Sequence, residues 1–456
     1  MTGQTRRRLG GAGLLLLVLL TWLTMLASFE NKARCIGPVF DSEGRSGPDY
    51  DVRKNRDLCY TDVQELWLGR DINRHVVPYV NGAITEDGTL VGGTVEYPVL
   101  SGMLIWAGAL FANTDGGFML GTALLLAPFG LVTAWLLGRL SRWRALLWAL
   151  GPPLFLYAFH NWDLPAVACA VGAVAVLHGW RTPDQLVRRA TWAGVLLGLG
   201  FAFKIYPGVF VAPLALYVLT RGTRAGALRV VAASIATVIA VNLPFAVLGY
   251  EGWRASFTYQ QLRTVDATTN SIWYWGFRPA SDPENEAFQA LADRLSPALV
   301  LLSFAVALGV GWWRYRRTGV YPWVQVSAAM LAGFLLLHKV HSPQYALWLL
   351  PFFVLLRVRW GWIAGYLAAD AAIGLGIFRW FYTLRVNSGY QVYDGLAAQA
   401  VVVGVWGRAA LLVALFGVFL AAETTFDDAA DDRTEADSAP GEDRLLEVGH
   451  PGRPAV

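Results

Sequence analysis

The chain has 456 residues, 55% of them hydrophobic and only 15% charged. A soluble domain carries about 25% charged residues, so lipid solvates much of this surface and an ordinary water-soluble enzyme is excluded. The net charge of +4, with no basic patch interleaved with stacking aromatics, excludes a nucleic-acid binder, and 3 cysteines exclude a Cys-rich zinc module or a disulfide scaffold.

From the N-terminus, Arg6, Arg7 and Arg8 precede an apolar run from Leu9 to Ser28. About 20 apolar residues make a full bilayer span, longer than the core of a signal peptide, and the run reads as an uncleaved first helix. A hydrophilic loop over 29–117 follows, in which Cys35 and Cys59 bracket a polar segment. The outer face is oxidising, so a disulfide closing that segment is expected. Thr61 and Gln64 have capping-box spacing, which puts Asp62 on the first turn of a short helix whose Val63, Leu66 and Trp67 would rest on the membrane. The helix dipole alone explains an acid there. The functional alternative is a general base above the lipid surface that takes a proton from an acceptor hydroxyl, with Glu65, Asp71 and Glu96 as competing acids.

Further apolar stretches lie at 118–138, 145–159, 164–180, 192–203, 207–219, 228–249, 297–313, 323–337, 344–356, 361–380 and 397–421. With the first they predict about twelve spans, several shorter than the ~20 residues a bilayer asks for. Arginines collect at 6–8, 139–144, 181–189, 221–229, 314–317 and 357–359. The positive-inside rule puts these in the cytoplasm together with both termini. The run Pro98 to Ala112 then lies at the outer interface, because crossing would turn Arg139, Arg142 and Arg144 outward. The expectation is an all-α integral membrane protein of the plasma membrane. Residues 1–421 form one transmembrane unit with outer loops at 29–117 and 250–296, and an acidic tail, 422–456, is disordered in the cytoplasm. No repeat suggests inverted transporter halves.

Three outward apexes concentrate polar groups. In Phe159–Asp163, Asp163 either caps the helix that begins at Leu164 or contacts substrate. In Gly198–Pro207, Lys204 is a cation costing ~2.5–3.5 kcal/mol in hydrocarbon; it either snorkels or holds the phosphate of a lipid carrier. The run His338 to Tyr345 offers Lys339 for phosphate, His341 for phosphate or a proton, and His338 as the competing imidazole. No third ligand accompanies the two histidines, so no metal site is expected. Trp273, Tyr274, Trp275, Phe277 and Arg278 suit either sugar stacking or an interfacial belt.

Tyr60-Thr61-Asp62, Glu96-Tyr97-Pro98, Trp162-Asp163, Lys204-Ile205-Tyr206-Pro207 and Lys339-Val340-His341-Ser342-Pro343-Gln344-Tyr345, in this order and all outward, resemble the C-type multi-spanning glycosyltransferases. Among these the chain looks like glycosyltransferase family 87, the polyprenol-phosphate-mannose-dependent mannosyltransferases of actinobacteria, over most of residues 9–421. The resemblance implies an inverting transfer of mannose or arabinofuranose from a polyprenyl-phosphate donor to a glycolipid or polysaccharide acceptor. It implies no nucleotide-sugar site and no organic cofactor, and leaves a divalent metal open; an Asp-x-Asp pair, which marks the metal-dependent branch, is missing around Asp62. It carries the base over to Asp62 and the polar apex to Lys339, His341, Ser342 and Gln344. The expected site therefore has Lys204, Lys339 and His341 on the donor phosphate, and Glu65, Glu96, Tyr97, Asp163, His338, Ser342, Gln344 and Tyr345 as substrate contacts. A transporter or flippase of an anionic lipid is the alternative. It has less need of a long outer loop bearing a candidate base.

Overall fold

In the computed structural model, residues 9–387 and 395–426 are described. Among the described residues, seven helices are long and apolar enough to cross a membrane: Gly11–Ala33, the run Asp115–Ala149, Pro183–Phe203, Arg224–Leu248, Glu286–Thr318, Trp360–Val386 and Gly395–Ala421. The chain is an all-α integral membrane protein. Strands among the described residues are confined to two short ribbons in the first loop, Val39–Phe40 with Ser46–Gly47 and Ala83–Ile84 with Leu90–Val91.

The other expected spans are shorter. Leu164–Leu177, Trp323–Leu337 and Ala346–Leu355 are buried along nearly their whole length. A helix of 14 residues such as Leu164–Leu177 rises about 21 Å, less than the ~30 Å of a hydrocarbon core. Enclosure by longer neighbours removes the need to match the lipid thickness. The stretch 145–159 breaks into Leu146–Ala149 and Pro152–Tyr157, because Gly151-Pro152-Pro153 removes two backbone donors from the ladder.

The helix Val99–Ala109 has 11 residues and, at about 16 Å, is too short to cross. It packs on Asp115–Ser141 and on Pro183–Phe203. A Cβ at Gly121 would collide with the carbonyl oxygen of Gly108, so glycine is what lets the two backbones touch. Ser101 Oγ donates to the Phe203 carbonyl at 2.7 Å and ties this helix to the end of the neighbouring span.

The first loop is held down at several points. Cys35 and Cys59 are joined in a disulfide, and Arg45 pairs with the buried Asp115 at 3.3 Å while Ser46 Oγ donates to the same carboxylate at 2.6 Å. Three expectations need correction here. Val63, Leu66 and Trp67 face the protein core instead of lipid, with Trp67 against Phe118 at 5.8 Å. Only half of the capping box forms: Thr61 Oγ1 accepts from the Val63 amide, and the buried Gln64 side chain finds no partner. Trp273, Tyr274 and Trp275 are buried in a satellite core with Trp380, so they serve neither as a sugar platform nor as a belt.

Past residue 421 the chain stays packed as far as Phe426. The Thr425 amide donates to the Leu355 carbonyl at 2.9 Å, and its hydroxyl meets Ser141 Oγ at 2.7 Å. Arg6, Arg7, Arg8 and the acidic tail beyond Phe426 lie outside the described residues.

Candidate active site

A cavity of about 1150 Å³ opens where the first loop meets the ends of the long helices. Its floor comes from the apex 158–163. Thr61 Oγ1 donates to the Phe159 carbonyl at 2.8 Å, and the Asp62 amide donates to the His160 carbonyl at 3.0 Å. These bonds fasten the start of helix Asp62–Gly69 to the apex, and the half-buried Asp62 carboxylate faces the cavity.

Two neutral donors hold that carboxylate. The Tyr60 hydroxyl donates to Oδ1 at 2.8 Å, and Asn161 Nδ2 donates to Oδ2 at 2.5 Å. Burial and the nearby Asp62 charge push the Tyr60 phenol well above its ordinary pKa, so it stays a donor. The orientation of the Asn161 amide follows from its other bonds, because Oδ1 accepts from Lys204 Nζ at 2.8 Å and from the Trp162 amide at 2.6 Å. Nδ2 also reaches the Tyr97 hydroxyl at 2.8 Å, and the Lys204 ammonium lies 4.3 Å from the Tyr97 ring centroid. A single amide thus links a carboxylate to a cation.

The competing acids have cationic partners. Glu65 pairs with Lys54 at 2.7 Å and Glu96 with Arg70 at 2.9 Å. Both line the cavity. Asp71 sits near Arg74 and accepts from the Gly92 amide. Asp163 stands behind the cavity wall. Its side chain makes no cap; Oδ1 accepts from Trp348 Nε1 at 2.7 Å and lies 3.7 Å from Lys204 Nζ. Burial raises its pKa, and the Lys204 charge works against that rise.

The apex 338–345 is divided. His338, Ser342, Gln344 and Tyr345 line the same cavity as Asp62 and Lys204. Lys339 and His341 do not. Lys339 Nζ pairs with Asp293 and donates to the Arg263 carbonyl, both at 2.6 Å, so it steadies the backbone of a cavity residue. The His341 ring is buried, with Nδ1 at 2.8 Å from the Leu335 carbonyl, and burial pushes its pKa well below the usual value. His160, at 3.3 Å from Lys32 Nζ, is likewise depressed by burial and then by that ammonium.

Sequence reasoning missed Asn161 as a connector, and Arg70, Arg263 and Arg385 as cavity cations. In a polar loop an arginine looks the same whether it faces solvent or a cleft. The apolar wall of Ile377, Phe378 and Phe381 gave no signal either, because it sits in and just past the end of a run, 361–380, that already reads as a span. No group of three or more His, Cys, Asp or Glu able to hold a metal occurs among the described residues. The site presents a carboxylate linked through one amide to an ammonium, and several guanidinium groups around a polar cleft with one apolar side. Such a set can take a proton from a hydroxyl and hold an anionic group nearby.

The family model described as glycosyltransferase family 87 matches residues 96–343. Over 318 residues the chain is 26% identical to GPI mannosyltransferase 1 of Saccharomyces cerevisiae, a match spanning 64% of this chain and 75% of that protein. The crystal structure of ArnT from Cupriavidus metallidurans bound to undecaprenyl phosphate superposes with a TM-score of 0.43 at 16% identity, covering 89% of this chain and 77% of that one. The apo state of ArnT gives 0.42 at 14% identity, covering 88% and 76%. The matched family span contains Asn161, Lys204 and the start of the 338–345 apex; Asp62 precedes it.

Proposed function

The chain belongs to glycosyltransferase family 87, and from that premise we propose that this membrane glycosyltransferase moves a sugar from a polyprenyl-phosphate donor to the hydroxyl of a glycolipid or polysaccharide acceptor on the outer face. The name of the yeast relative favours mannose as the sugar. Asp62 takes the proton of the acceptor hydroxyl as that oxygen attacks the anomeric carbon. The bond from that carbon to the phosphate oxygen breaks, the electron pair leaves with the phosphate, and the single displacement inverts the anomeric centre. Lys204 and Arg263 are the cavity cations assigned to the leaving phosphate, where positive charge is worth most as the bond breaks. His338, Ser342, Gln344 and Tyr345 contact substrate from the facing wall, with Tyr97 beside Lys204. Glu65 and Glu96, already ion-paired, shape the cleft without accepting the proton.

One observation carries this reading. Of the acids lining the cavity, Asp62 is tied through Asn161 to the Lys204 ammonium, whereas Glu65 and Glu96 are each paired to a cation and Asp87 and Asp266 accept from threonines of their own turns. The test is incubation of the purified protein with radiolabelled polyprenyl-phosphate-mannose and a membrane lipid extract. Wild type should label a lipid product. Asp62→Asn should lose about a hundredfold or more in kcat with donor KM little changed, and full activity in that variant would reject Asp62 as the base.

A further inference from the structure

Two charged residues that do not line the cavity sit inside the helices Trp360–Val386 and Gly395–Ala421. Asp370 and Arg408 are each 2% exposed, and Arg408 Nη1 lies 3.9 Å from Asp370 Oδ1. An ionisable pair within membrane helices is costly to insert and is weak as a source of stability, because desolvation offsets most of the attraction. Its placement therefore calls for another explanation.

The second bond of each partner supplies one. Arg408 Nη2 donates to the Asn270 carbonyl at 2.5 Å, and Asn270 lines the cavity. On the other side, the Tyr157 hydroxyl donates to Asp370 Oδ2 at 3.1 Å. Tyr157 ends the helix leading into the apex, its carbonyl accepts from the His160 amide at 3.2 Å, and its ring meets that imidazole edge-on at 5.8 Å. Space for the phenol depends on Gly374, since a Cβ there would come within 2.5 Å of the hydroxyl. Asn270 itself has φ 50° and so occupies the left-handed region, and the neighbouring Thr269 carbonyl accepts from the His341 amide at 2.7 Å.

We infer that Tyr157, Asp370, Arg408 and the Asn270 carbonyl form a strap that sets the separation between the two walls of the cavity, with Arg408 as its positioning residue. One wall is the apex that carries His160 and Asn161 beneath Asp62. The other is the loop 265–271, which the His341 amide joins to the polar apex. The strap touches no reacting atom. It acts by keeping the base and the facing wall at one spacing, and a misplacement of about 1 Å is enough to lower a rate severely. The inference rests on the reading of the cavity as the transfer site.

The test separates spacing from stability. Asp370→Asn combined with Arg408→Gln leaves no buried charge unpaired yet removes the guanidinium from Asn270. Tyr157→Phe cuts the other end and leaves the ion pair intact. Each protein would be assayed in nanodiscs with radiolabelled polyprenyl-phosphate-mannose and membrane lipid extract, beside Asp62→Asn. The double variant should unfold near the wild-type temperature and Tyr157→Phe lower, because the buried Asp370 loses its hydroxyl donor. Both should lose about tenfold in kcat, with donor KM within about threefold of wild type. Hydrogen exchange at the His341 amide should accelerate in the double variant, a readout that needs no turnover. Wild-type kcat and wild-type protection in the double variant would overturn the strap, as would wild-type kcat in Tyr157→Phe. If Asp62→Asn is inactive while the strap variants are normal, the strap alone fails. If Asp62→Asn keeps full activity, the assignment of the base fails, and the exchange result still decides whether the strap holds the loop.

Discussion

Lys204 has two unequal partners. Its ammonium donates to the neutral Asn161 amide at 2.8 Å and stands 3.7 Å from Asp163, a carboxylate wholly out of water whose Oδ2 has no hydrogen-bond donor. Burial drives the Asp163 pKa up, and the ammonium is the main influence opposing it. Lys204→Met therefore removes two things at once. Stripping one partner from a buried pair costs about 3–5 kcal/mol, so the thermal unfolding midpoint should fall. If Lys204 also grips the donor phosphate, losing a charge-assisted hydrogen bond should raise donor KM about tenfold or more. Adding Asp163→Asn to Lys204→Met separates the two effects. The midpoint should recover and the KM should not; recovery of both would leave Lys204 a structural role only. Apex spacing made Lys204 visible in the sequence as a cation at a membrane boundary. Its partner Asn161 was not visible, because that contact joins residues 43 positions apart in the chain and only tertiary packing brings them together.

At the level of elements, two apexes rest on histidines that must stay neutral. His160 is 2% exposed and His341 1% exposed, and burial lowers the pKa of both well below the ordinary 6.5. A depressed histidine binds fewer protons folded than unfolded, so the stability it contributes is complete above pH 6.5 and declines as pH falls below it. Each such histidine costs up to about 1.4 kcal/mol per pH unit in that range. The midpoint measured from pH 7 to pH 5 should therefore drop steeply, and His160→Gln or His341→Gln should each flatten the slope. A slope unchanged in both variants would show that other groups drive the acid limb. The elements themselves were legible where a local rule decides them. Thr61 before Asp62 marks a helix start and long apolar runs mark spans, whereas the break at Gly151-Pro152-Pro153 falls inside a stretch that reads as one span. The side facing Val63, Leu66 and Trp67 was not legible, since lipid and protein core select the same apolar side chains. The aromatic run Trp273 to Trp275 was misread for the same reason.

On the scale of the molecule, the helix Asp115–Ser141 measures its two ends. Asp115 is tied to Ser46 in the first loop, and Ser141 meets Thr425 near the C-terminal end of the described chain. A helix of 27 residues separates these points by about 40 Å. The cavity with Asp62, Lys204 and Gln344 lies at the first end. At the other, Arg144 donates to the Phe353 and Leu356 carbonyls at 2.8 and 3.0 Å, where a cation suits a helix C-terminus. Arg139 lies in the last turn of Asp115–Ser141 with Arg142 just past it, Arg181 precedes the helix Pro183–Phe203, and Arg357 follows Ala346–Leu355. A basic cluster of this kind stays in the cytoplasm during insertion, which would put the cavity outside. The sequence sorts its loops into two sets by arginine content, and the structure adds that the Asp62 and 338–345 segments share one cleft. The sidedness can be measured in intact cells with a membrane-impermeant maleimide. Glu86→Cys, exposed on the cavity rim, should be labelled from outside, while Asp184→Cys, exposed in the first turn of the helix that rises to Lys204, should react only after the cells are opened. The reverse pattern would turn the cavity to the cytoplasm and overturn the outer-face assignment, even with the bond geometry around Asp62 unchanged.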